Sequence, residues 1–328
     1  MAEKDELDRE TPQLFDLMLK CLLKEASPSA VVHFINGLFG KDYPPDSSVT
    51  FAATESIAIP QPNKPQKLEK IQSDIILIVA GDDFLVEAQI DDDETIALRV
   101  FQYGFAHARR TKTISEDETL IPLLMPEARI IYWETSRKTP DKVTLRFVFP
   151  DDSKHDYEIK TFKMLEANLE TLEKRKMLLL LPFTLLKFRQ EVKNRSTTKE
   201  KRRQLANEMK ELLVDLENMI ERANKEGLLS TGDAGMLFDR IVQMYNELYK
   251  PYPEFMEEQM QLEERLKSRS KEMERYWTKY VEERSQEVRL ETRLEERRQI
   301  LDLLTQKHLT KEQLIELLTQ EMADTLPQ

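Results

Sequence analysis

Apolar positions along this chain recur first at helical spacing, then in short strand-length runs, and then at helical spacing again. In TPQLFDLMLKCLLKE, Leu14, Phe15, Leu17, Met18, Leu22 and Leu23 form one stripe, which predicts a helix. Thr11 followed by Pro12 is N-cap chemistry with proline at the first helical position. SPSAVVHFINGLFG predicts a second, shorter helix stopped by Gly40. Residues 41–72 are rich in Pro, Asp, Ser and Lys and hold one strand-like segment, SVTFAATES.

From Ile75 the period changes. Ile75 to Ala80 is an unbroken apolar run, the pattern of a strand covered on both faces. Gly81-Asp82-Asp83 is turn chemistry and FLVEAQI resumes the strand, so 74–90 reads as a hairpin. Asp91, Asp92 and Asp93 are placed to cap a following helix, TIALRVFQYGFAHARR, whose N-terminal dipole favours acids. ARIIYWETS, KVTLRFVFP and DYEIKTF read as three further strands. Helices and strands in this order predict an α/β (α+β) core of about 160 residues, a mixed sheet flanked by helices.

From about residue 162 no strand pattern is present. LEANLETLEKRKMLLLLPFTLLKFRQEV reads as helix kinked or restarted at Pro182, because an internal proline removes a backbone donor. STTKEKRRQLANEMKELLVDLENMIERANKEG reads as a helix stopped at Gly227, and TGDAGMLFDRIVQMYNELYK as another. Residues 253–306 mix dense Glu, Arg and Lys with apolar Leu266, Met273, Trp277, Val281, Val288 and Leu301, as in a long exposed helix or weak coiled coil. LTKEQLIELL follows, with Thr310 and Gln313 as a capping box. The expected division is a first domain over 10–190 and an all-α charged extension over 191–328.

Composition narrows the chemistry. Seven glycines in 328 residues, with no GxGxxG and no GxxxxGK[ST], leave nucleotide-cradling loops without support. The single Cys21 rules out a disulfide framework and a multi-cysteine zinc site, and its apolar setting favours a buried thiol. The start, MAEKDELDRE, is acidic and not a secretory signal. The longest apolar run, 177–186, is about half of the ~20 residues that span a bilayer. No membrane association and a cytoplasmic, reducing location are therefore expected. A net charge of −12 argues against a surface coated in positive charge, yet Lys187 to Arg203 holds eight Lys/Arg against two Glu. That run fits either a solvated helix face or a phosphate contact.

Residues two apart in a strand share a face, so Glu87 and Gln89 point one way while Val86, Ala88 and Ile90 point the other. Asp74 stands toward the far end of the partner strand. Two carboxylates from adjacent strands make a hard oxygen site suited to Mg²⁺ or Mn²⁺, an ion able to activate water at a phosphodiester. The plainer reading is a solvent-facing acid at a strand start and a polar edge on a half-exposed strand. His107, beside Arg109 and Arg110, sits where a helix C-terminus favours cations, and reads as structural or close to DNA. His33, His155 and His308 have no spacing partner and read as ordinary residues.

Asp-x12-Glu-x-Gln across a hairpin, then a helix carrying Arg99, Gln102 and Tyr103, resembles the PD-(D/E)XK nuclease superfamily. More narrowly, ATE (53–55), SDIILIV, VEAQ, LRVFQYGFAHA, IIYWET and LLLLPFTLLKFRQ together resemble the Rpn-type family of recombination-promoting nucleases and transposases. The resemblance covers roughly residues 10 to 190. It implies a restriction-endonuclease-like core, with Asp74 and Glu87 as metal ligands and Gln89 in the slot usually held by lysine. Glu55 is its candidate for an additional acid, with Glu25 as competitor. Arg99 and Gln102 fall where substrate or phosphate contacts are common, with Arg109 and Arg110 further along the helix.

The expected function is then a Mg²⁺-dependent DNA endonuclease, its partner DNA and its second copy held through the C-terminal helices. An amide at position 89 can orient water but carries no positive charge. That departure keeps a second expectation open: a weak or inactive nuclease fold that binds or assembles through its helical tail.

Overall fold

The unbroken apolar run at Ile75 becomes a central strand of a six-stranded mixed sheet. This computed structural model describes residues 2–52, 75–90, 95–111, 120–136, 138–194 and 196–256, with side chains from Leu14 onward. The strands are β1 (Val49–Phe51), β2 (Ile75–Val79), β3 (Asp82–Gln89), β4 (Glu127–Tyr132), β5 (Lys142–Val148) and β6 (Lys154–Lys163). Their order across the sheet is β1-β2-β3-β4-β6-β5. β1, β2 and β3 run antiparallel in sequence, β4 lies parallel to β3 and to β6, and β5 closes one edge antiparallel to β6.

The parallel step from β3 to β4 requires a crossover, and α3 (Ile96–Arg110) lies within it. Ile96, Ala97 and Val100 of α3 pack on Ile76, Leu85, Ala128, Ile130 and Tyr132 of the sheet. α1 (Ala2–Glu25) and α2 (Pro28–Phe39) belong to the other face, where Phe39 meets Phe84 edge-on at 4.7 Å. Helices on both faces explain the uninterrupted apolar letters of β2 and the burial of β4 from Ala128 to Tyr132. In β5, by contrast, burial alternates strictly, because its second face is open to solvent.

The helical part docks on the segment Leu178–Phe188, in which every residue but Lys187 is buried. Trp133, wholly buried just after β4, stacks on its Phe183 at 4.0 Å, a contact whose truncation costs about 3–5 kcal/mol in comparable cores. α6 (Lys199–Lys225) and α7 (Thr231–Tyr249) pack on this segment. The buried carboxylate of Asp233 ties α7 to α2: it completes the capping box with Ser230 and accepts from Ser27 N–H (2.7 Å) and Oγ (2.6 Å) at the start of α2. One acid thus serves two helix N-termini, where negative charge is favoured.

Three local expectations need correction. Helix α1 begins at Ala2, so Thr11 and Pro12 lie inside it, carried by the good helix formers that precede them. The hairpin turns at Ala80 and Gly81, with φ of 52° and 92°, while Asp82 and Asp83 are already strand. A two-residue hairpin needs positive φ at both central positions, and glycine supplies only one of them at no cost. Residues 164–193 are not one kinked helix. They form a short 3₁₀ turn, α4 (Leu169–Lys174), the 3₁₀ segment 178–188 holding Pro182, and α5 (Arg189–Lys193). A proline within a stretch buried all round fits 3₁₀ turns better than continuous helix.

Among the described residues the remaining expected elements form. Gly40 closes α2 at φ 70°, and Gly227 follows α6 at φ 76°. The charged stretch beyond residue 256 and the capping box at Thr310 and Gln313 lie outside the described residues, as do Asp91, Asp92 and Asp93. The chain divides into Met1–Arg269 and Ser270–Gln328, and every described residue belongs to the first unit. Among the described residues no helix is long and apolar enough to cross a membrane.

Candidate functional site

β3 turns Asp83, Leu85, Glu87 and Gln89 toward α3, and the helix answers with two polar contacts. Arg99 donates to Glu87 Oε1 from Nε (3.1 Å) and Nη2 (2.6 Å), and from Nη2 to Gln89 Oε1 (2.9 Å). Eight residues later, His107 Nε2 lies 2.7 Å from Asp83 Oδ2. Helix rise makes 99 to 107 about 12 Å, and four strand residues span about 13 Å, so an antiparallel helix meets both acids in register. These contacts fix where α3 sits along β3, and a slide by one turn would strand two buried groups.

Glu87 is 1% exposed, in a row of apolar neighbours, whereas the Arg99 side chain keeps about a third of its surface in contact with solvent. An ionised carboxylate this deep requires a cationic or strongly donating partner. Glu87 and Gln89 share one face of β3, as strand geometry anticipated, and Arg99 meets both. Gln102, half-buried, lies one helical turn past Arg99. Arg109 and Arg110 are exposed in the last turn of α3, about 15 Å along the axis from Arg99, and do not join the cluster. Asp74 and Glu55 lie outside the described residues. Glu25, the competitor for the upstream acid, pairs with Arg240 of α7.

The donor set suits a hard cation. Glu87 and Gln89 present a carboxylate and an amide oxygen side by side, the ligand types that bind Mg²⁺ or Mn²⁺. The guanidinium of Arg99 already places positive charge across these two oxygens. Among the described residues no cluster of three His, Cys, Asp or Glu converges on one point.

Two features escaped sequence reading. The Asp83–His107 contact carried a signal in principle, because acids four apart on a strand can match helical residues eight apart. The basic run 187–203 is not one face. Arg189 is buried against Glu134 and the Phe15 ring, Lys201 pairs with Glu191 at 3.8 Å, and Arg202 lies over Tyr252. Arg195 lies outside the described residues. Cys21 is half-buried and free of any disulfide.

No protein-family model, no curated protein and no solved structure matches this chain.

Proposed function

We propose that this chain is a metal-dependent DNA endonuclease of Rpn type, with a restriction-endonuclease-like core and a charged helical extension, acting in the cytoplasm. The observation that carries this reading is the convergence of Glu87, Gln89 and Arg99 at the carboxyl end of β3. A buried acid and amide on one strand, faced by an arginine from the crossover helix, fits a phosphodiester site of this type. In open sheets with parallel strands, ligands approach at the carboxyl ends of the strands, which is where these residues stand.

In this reading Glu87 and Asp74 hold Mg²⁺ or Mn²⁺, with Glu55 a candidate for a further ligand. The bound ion supplies charge neutralisation and a more acidic water. Gln89 would orient a water through its amide. Arg99 holds Glu87 in its rotamer and, being partly exposed, offers its outer N–H groups to a phosphate oxygen. Gln102 extends the same helix face. Arg109 and Arg110 are far enough away to serve only backbone contacts of a longer DNA.

The test is plasmid nicking with Mg²⁺ or Mn²⁺ by wild type, Asp74→Ala and Glu87→Gln. Metal-dependent nicking by wild type and its loss in both variants is the expected result. Equal nicking by all three would end the site assignment.

A second reading has its own observation. Arg99 already satisfies Glu87 Oε1 and Gln89 Oε1, an arrangement that can be a permanent structural lock in a nuclease-derived fold that only binds or assembles. In that case Mg²⁺ titrated calorimetrically into wild type gives no heat that Glu87→Gln removes, and removing residues 253–328 abolishes self-association.

A further inference from the structure

On the sheet face opposite Glu87, cations outnumber their acidic partners. Arg129 of β4 points away from α3, since its neighbours Ala128 and Ile130 pack on that helix. Its guanidinium lies 5.0 Å from the Phe39 ring of α2. In sheet register Arg129 stands beside Lys160 of β6, which stands beside Lys142 of β5. Three cations abreast oppose folding unless something offsets them. Lys142 has Glu158 and Arg129 has Glu127. Among the described residues, no carboxylate pairs with Lys160.

Arg129 and Lys160 form one wall of a cavity of about 600 Å³, within the ~300–1,000 Å³ usual for small-molecule sites. Lys174, Arg175 and Lys176 form a second wall, again with no carboxylate partner among the described residues. This wall is held tightly. A methyl group on Gly37 of α2 would lie 2.3 Å from the Arg175 carbonyl oxygen, and Lys176 adopts φ 55°, uncommon for a side chain with a Cβ. The lining has six cations against Asp42, and Glu127 beneath is shared by Lys41 (2.8 Å) and Arg129 (3.2 Å). Arg129 (8% exposed) and His33 (6%) are the buried polar residues of the lining, so a ligand must enter to use them. Positive charge from Lys176, after burial itself, holds the His33 imidazole below its usual pKa.

We propose that this cavity binds the polyphosphate group of a small anion, either a nucleoside triphosphate or inorganic triphosphate. Converging side-chain cations and a buried guanidinium are phosphate chemistry. The burial of Arg129 and His33 favours a compact group over a duplex, whose backbone reaches only the exposed lysines. The site is independent of the nuclease reading, since it shares no residue with Glu87, Gln89 or Arg99.

Calorimetry on the full chain in EDTA decides it, titrating sodium triphosphate, ATP and a blunt DNA duplex separately. Saturable one-to-one binding of triphosphate is expected. It should weaken at least about tenfold in Arg175→Ala/Lys176→Ala and again in Lys160→Ala, as loss of charge-assisted hydrogen bonds implies. ATP at least tenfold tighter than triphosphate would identify the source as a nucleotide, and equal affinity would identify the phosphate chain alone. Thermal unfolding checks that each variant folds; if the double variant does not, Lys160→Ala and the wild-type titrations decide. No binding of either anion, wild-type affinity in the folded variants, or a duplex that binds more tightly than triphosphate and displaces it would overturn the proposal.

Discussion

The two faces of the sheet treat charge in opposite ways. Toward α3, the acids of β3 meet basic side chains of the helix: Glu87 with Arg99, Asp83 with His107. Toward α2, cations outnumber acids, and Lys160, Lys174, Arg175 and Lys176 face a common space. A helix packed directly on a strand leaves no volume between them, so its polar groups must satisfy each other locally. Where α2, the 174–176 turn and the β4–β6 wall meet at their ends, a gap remains and solvent or a ligand must supply the counter-charge. Close packing therefore produces internal pairing, and imperfect closure produces a binding surface.

The comparison breaks first on activity. If the α3 face is the catalytic one, Glu87→Gln lowers metal-dependent nicking by at least about 100-fold, as loss of a metal ligand should exceed the 10–100-fold of an outer contact. Arg175→Ala/Lys176→Ala leaves nicking of the same plasmid unchanged. The reverse pattern would exchange the roles of the two faces.

Stability separates the faces next. Glu87→Ala leaves Arg99 without its carboxylate and is expected to cost about 2–3 kcal/mol in urea unfolding, less than for a fully buried pair because Arg99 reaches solvent. Glu87→Gln retains an acceptor and should cost clearly less. On the other face, Arg175→Ala is expected to change stability by no more than about 0.5 kcal/mol, as an exposed site without a partner should.

Gly37→Ala sharpens the account of the cavity. Its new Cβ would collide with the Arg175 backbone and with Met177 Cγ at 2.4 Å, and should cost about 1–3 kcal/mol while weakening triphosphate binding by displacing the 174–176 wall. Loss of stability with unchanged binding would show that this wall does not hold the anion.

The smallest effect concerns Tyr43, at the cavity rim, whose hydroxyl donates to Asp82. Burial and then this hydrogen bond push the phenol pKa up from 10.0 to about 12. Between these values the folded state keeps a proton that the unfolded chain loses, so stability is intact below about pH 10 and falls as pH rises toward 12. Tyr43→Phe should flatten that alkaline decline in thermal unfolding, and an unchanged slope would assign it to other groups.

Much of this was legible beforehand. The hairpin, α3 and the later strands follow from apolar runs and turn residues, and the shared face of Glu87 and Gln89 follows from strand geometry alone. Arg99 could be named as facing them only through a family resemblance, because a helix pattern says which residues are polar and not which strand they will cover. The 3₁₀ passage around Pro182 was misread because ten buried residues in eleven have no periodicity to read.

What the sequence by itself determined is local: where the backbone turns, which residues alternate, and which segments must be covered on both faces. Those properties depend on neighbours a few residues away. Tertiary structure alone decided which acid received which cation. It joined Ser27 to Asp233 across 206 residues, and gathered Arg129, Lys160 and the 174–176 turn around one cavity. Such pairings are set by close packing among distant elements, and no local pattern along the chain records them.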